Sequence, residues 1–107
     1  MAPVIREADF VQSVADALQF ISYYHPGDYI RALGRAYERE QSAAAKDAIA
    51  QILTNSRLCA EGHRPICQDT GIVNVFLKVG IDVRWEGVTL SLTDMINEGV
   101  RLAYMNP

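Results

Sequence analysis

The run GIVNVFLKVG, residues 71–80, limits what this chain can fold into more than any other stretch. It alternates Val73, Val75, Leu77 and Val79 against Ile72, Asn74, Phe76 and Lys78, and its β-branched richness predicts a strand. A lone strand cannot cover both of its faces, and an isolated hairpin is marginal in water. DVRWEG, residues 82–87, could return as a second strand after a turn at Gly80. One or two strands make too small a sheet, so another chain or further sequence is expected to complete it.

The preceding residues carry a helical period instead. Val11, Val14, Leu18 and Ile21 fall three and four residues apart, which makes one apolar stripe over residues 8–24. His25-Pro26-Gly27 ends that helix, because proline disfavours helical geometry before it. A second, shorter helix is expected with Asp28 as its cap and Ile30, Leu33 and Tyr37 on one face. Ser42 caps a third, with Ala45, Ile49, Ile52 and Leu53 facing inward and Gly62 as the stop. After the strand region, Ser91 followed by Asp94 resembles a capping box. It opens a last helix that turns Leu92, Met95, Ile96, Val100 and Ala103 to one side. The expected class is α+β and helix-dominated: three N-terminal helices, a strand or hairpin around residues 72–85, then a C-terminal helix. The whole reads as an incomplete part of a larger α/β domain.

Composition excludes several functions. With 107 residues, 50% hydrophobic and 21% charged, the chain is ordinary for one folded domain. Ten basic against thirteen acidic side chains, without a Lys/Arg block, leave no nucleic-acid footprint. No apolar stretch reaches bilayer length, and Arg6 and Glu7 interrupt the place where a secretory leader needs its apolar core. No membrane partner is therefore expected. Two cysteines, Cys59 and Cys67, are too few for a disulfide scaffold and suit a reducing cytoplasm.

The chemistry-bearing residues lie just before the strand, in GHRPICQDTG, residues 62–71. Asp69-Thr70-Gly71 is the tripeptide that carries the catalytic carboxylate of aspartic proteases, where two carboxylates share one proton. That fold is built almost wholly of strands, which the capped helices here oppose. Cys59, His63 and Cys67 fall at steps of four and could approach a zinc ion, but Gly62 and Pro65 break the helix that would align them. The plainest reading is architectural. Cys59 is then a small core residue, His63 and Arg64 complement a helix C-terminus, and Asp69-Thr70-Gly71 is a tight turn. Spacing alone does not choose a reaction among these.

A resemblance does choose one. RPICQDTG, residues 64–71, is similar to the signature loop of the class I, iron–sulfur-dependent fumarate hydratases, and related L-tartrate dehydratase α subunits carry a similar loop. The likeness extends over residues 53–80, and MINEGVRLAY, residues 95–104, sits where that family has a corresponding element. Family members are several times longer, so the resemblance makes residues 1–107 a single N-terminal segment of the iron–sulfur hydro-lyase N-terminal domain.

That resemblance implies a role for each loop residue. Cys67 would be the first of three cysteine ligands to a [4Fe–4S] cluster, one iron of which stays open to substrate. Gln68 would hydrogen-bond the substrate, and Asp69 would contact it as part of the acid–base apparatus. Thr70 and Gly71 would complete the substrate-binding turn that aims Cys67 and Asp69. Cys59 matches no cluster ligand. The implied reaction is reversible hydration of fumarate to L-malate by the complete protein, commonly a homodimer. The segment alone would be inert and without cluster, its partners being a small dicarboxylate and the rest of the same enzyme. Two alternatives stand beside it: a related hydro-lyase such as an L-tartrate dehydratase α subunit, and a non-catalytic helical domain that pairs its exposed strand with a partner.

Overall fold

The computed structural model of the chain describes residues 2–68 and 71–106. Its element order is β1 (Val4–Arg6), α1 (Glu7–Tyr23), α2 (Gly27–Arg39), α3 (Ala43–Gly62), β2 (Arg84–Glu86) and α4 (Leu92–Met105). The helix-dominated α+β class is as expected. Two compact units divide it: Met1–Gln19 with Gly71–Pro107, and Phe20–Thr70.

In the first unit, β1 and β2 pair in parallel, with Val4 opposite Arg84, Ile5 opposite Trp85 and Arg6 opposite Glu86. The sheet thus does not form where the β-branched run predicts it. Residues 72–80 have no ladder partner among the described residues. Ile72, Val75, Phe76, Leu77 and Val79 stand exposed there, Phe76 at 96%. High β-propensity describes a residue that fits a half-buried pleated surface, and it supplies no strand until a neighbour does. DVRWEG does contribute a strand, to the N-terminus rather than to a hairpin. Three residues at the start of the chain give no periodic signal, so β1 escapes sequence reading.

Phe10 on α1 meets Trp85 on β2 edge to face, with ring centroids 5.4 Å apart. Val11 and Ala15 of α1 and Met95, Gly99 and Ala103 of α4 are the buried positions of this unit's helices. Steps of four put the α4 residues on one stripe. A Cβ at Gly99 would lie 2.6 Å from Val14 Cβ, so here glycine sets how closely the two helices approach. Ser91 caps α4 as expected, its Oγ accepting from the Asp94 N–H at 3.1 Å. Gln19 donates its side-chain amide to the carbonyls of Ala103 and Asn106 at the helix's other end.

The second unit is built on α2 and α3. Pro26, not Asp28, occupies the N-cap of α2, and it offers no side-chain cap. Asp28 lies inside the first turn and accepts from the Tyr29 N–H at 2.8 Å. Proline's fixed φ already suits the entry to a helix, which moves the start two residues earlier than a cap at Asp28 would. Ser42 does cap α3, accepting from the Ala45 N–H at 3.4 Å, while Glu40 holds the N–H groups of Gln41 and Ser42. Lys46 lies 4.1 Å over the Tyr37 ring and donates to the Tyr37 carbonyl, closing the α2–α3 turn. Ile21 and Ile52, both expected to face inward, are exposed. No described helix is long and apolar enough to cross a membrane.

Candidate functional site

The loop after α3 is fixed by three groups of side chains and backbone. The first acts at the helix end. The left-handed residue there is His63 (φ 50°, ψ 55°), one position beyond the glycine read as the stop. A non-glycine side chain in that conformation costs roughly 1–2 kcal/mol. Here the ring has partners: it lies parallel to Tyr23 with centroids 5.5 Å apart, and its Nε2 is 3.2 Å from the Tyr24 hydroxyl. The Arg64 N–H then donates to the Cys59 carbonyl at 3.1 Å and turns the chain back along α3.

The second group lies on α3. Cys59 is 5% exposed, as the core reading expects. Its thiol hydrogen faces two acceptors, the Pro65 carbonyl at 3.4 Å and the Asn55 amide oxygen at 3.6 Å. The Asn55 amide nitrogen donates to the Ile66 carbonyl at 2.9 Å. The third contact comes from α1, where the Ser22 carbonyl accepts the Ile66 N–H at 3.0 Å. Nearby, His25 Nδ1 is 2.9 Å from the buried Ser56 Oγ, tying the α1–α2 corner to α3.

Beyond Ile66 the chain opens to solvent. Cys67 is a free, exposed cysteine, and Gln68 is exposed beside it. Asp69 and Thr70, the proposed acid–base and turn residues, lie outside the described residues. Gly71 follows with φ +92°, a conformation glycine adopts freely and other residues rarely do. Among the described residues, no three His, Cys, Asp or Glu side chains gather closely enough to hold a metal ion. The zinc arrangement of Cys59, His63 and Cys67 therefore does not form: one is buried against carbonyls, one stacked on tyrosine and one exposed. What the loop presents is a single accessible thiol on a tethered stem.

The model of the family described as fumarate hydratase (fumerase) matches residues 11–107. The chain belongs to the fumarate hydratase family. It is also 33% identical over 90 residues to a protein of Methanocaldococcus jannaschii named "Putative L(+)-tartrate dehydratase subunit alpha". That alignment covers 84% of this chain and 31% of the relative, so the chain spans about a third of that protein's length. No solved structure matches it. The family match runs through the whole loop, from the anchoring Asn55 and Cys59 to Gly71. Asn55 and Ser22 escaped sequence reading. Asn55 stands four residues before Cys59 on α3, a spacing visible in the sequence. Its carbonyl partner, eleven residues on, is set only when the chain folds back.

Proposed function

We propose that this chain is the N-terminal segment of a hydro-lyase of the fumarate hydratase family, acting on fumarate and L-malate with a [4Fe–4S] cluster. The observation that carries this reading is the family match through a loop whose stem is held and whose cysteine is exposed. The donor set suits the group in part. A thiolate is the usual ligand of iron–sulfur iron, and Cys67 is free to be one. The remaining ligands belong to sequence outside this segment. When bound, such a cluster supplies an open iron that acts as a Lewis acid toward the substrate's oxygens.

This chain's own residues then have distinct tasks. Cys67 would supply a thiolate to the cluster. Gln68, with both a donor and an acceptor in its amide, orients a substrate carboxylate or hydroxyl. Asp69 handles the proton: in the direction of water loss its carboxylate removes hydrogen from the carbon beside the one that loses hydroxide. In hydration it returns that hydrogen. Thr70 and Gly71 would shape the turn that aims Cys67 and Asp69, and the positive φ of Gly71 suits such a turn. The relative's name favours one second reading, a tartrate dehydratase α subunit, which would add a partner subunit where the first reading expects a homodimer. Either way the molecule that loses water is a small hydroxy diacid.

Asp69→Asn in the complete protein tests the reading. Asparagine keeps the shape and most hydrogen bonds but cannot accept the proton. Turnover of L-malate should fall by about 10²–10⁴, the usual worth of a positioned acid or base, with iron content unchanged. Near-normal turnover would reduce Asp69 to a turn residue, which asparagine serves equally well. Turnover of L-tartrate with none of L-malate would select the second reading.

A further inference from the structure

The geometry points to Asn55 as the positioning residue of the Cys67 thiol. The inference rests on the reading of Cys67 as a cluster ligand, and deepens it by naming what holds that ligand in place.

A cysteine on a loose loop is a poor cluster anchor, because each binding event must first order the backbone around it. The polar groups of residues 64–66 are largely taken up before the chain reaches Cys67. The Arg64 N–H goes to the Cys59 carbonyl, and Pro65 has no N–H. The Pro65 carbonyl faces the Cys59 thiol, and the Ile66 N–H goes to Ser22. Asn55 takes the last of them, the Ile66 carbonyl. That carbonyl belongs to the peptide whose nitrogen is that of Cys67, so the Asn55 bond fixes the plane from which the Cys67 side chain departs. The same Asn55 amide offers its oxygen to Cys59, so one side chain spans both brackets of the stem. Cys59 itself is too buried to reach a cluster and acts here as a spacer.

Asn55 is exposed on α3, so its replacement leaves the core alone. Alanine also has the higher helix propensity, so Asn55→Ala keeps α3 folded. Asn55→Asp replaces the donor with a negatively charged oxygen and keeps an acceptor toward Cys59. Backbone ¹⁵N relaxation on this chain reads the effect without any cluster. In both variants the order parameters at residues 66–68 should fall from near the rigid value of about 0.85 toward about 0.6, while residues 43–62 keep theirs. In the iron-loaded complete protein, affinity for iron measured against a chelator should drop by about 10–100-fold, the usual effect of losing a partner that orients a ligand.

Unchanged order parameters at residues 66–68 in both variants would overturn the positioning role. So would loosening confined to α3, which would mark Asn55 as a helix residue only. The reading of Cys67 fails separately. If Cys67→Ala retains iron while the Asn55 variants still loosen the loop, the tether stands and the ligand assignment falls.

Discussion

Glu7 shows how much one exposed carboxylate can organise. It accepts from the Thr89 N–H at 2.9 Å, the Leu90 N–H at 2.8 Å and the Thr89 hydroxyl at 3.1 Å. The Thr89 and then the Leu90 backbone bonds hold its pKa below the ordinary glutamate value of 4.5. A depressed carboxylate adds stability that is complete above the unfolded value and is lost as pH falls through the folded one. Unfolding followed from about pH 6 to about pH 3 should therefore show a loss of stability below pH 4.5 that Glu7→Gln reduces. Equal acid sensitivity in both proteins would mean that other carboxylates govern it. None of this is legible in the sequence, since the partners lie more than eighty residues away. His63 was hidden for the same reason. Local rules favour Gly62 as the left-handed residue, and only the fold reveals the two tyrosines that meet the imidazole one position later.

Among the elements, what depends on near neighbours was readable. Ser42 and Ser91 cap α3 and α4 because a hydroxyl and an N–H three residues on need nothing else to meet. The strand at residues 72–79 does not form because pairing is a property of two segments, and among the described residues that run has no ladder partner. Helix packing falls between these cases. The stripe of Met95 and Ala103 was visible, but Gly99 between them carried no signal until α1 lay against it. Gly99→Ala forces a methyl group to 2.6 Å from Val14 and 3.0 Å from the Val11 carbonyl. It should destabilise the protein by about 1–3 kcal/mol, the range for overpacking. Val14→Ala in the same chain removes Cγ1, one of the two atoms at 2.6 Å, while keeping Cβ, and should return part of that loss, a coupling that a double-mutant cycle measures. Additive effects would show that the helices shift apart without strain.

At the scale of the molecule, the loop that carries the proposed site stands out in the sequence because it is one contiguous stretch, Pro65 to Gly71, while its support does not. Asn55, Ser22 and Cys59 converge on that stretch from two helices, and no local pattern shows that they meet it. Phe76 and Ile81 are 96% and 95% exposed, an apolar surface left open in this chain. The proposed cluster would take one ligand from this chain, Cys67, and that is the residue to test. The most direct measurement is iron per chain, with the visible spectrum, for the complete protein and its Cys67→Ala variant purified without oxygen. The account predicts about four irons and a brown colour in the first, and loss of both together in the variant. A Cys67→Ala protein with its iron and colour intact would contradict it.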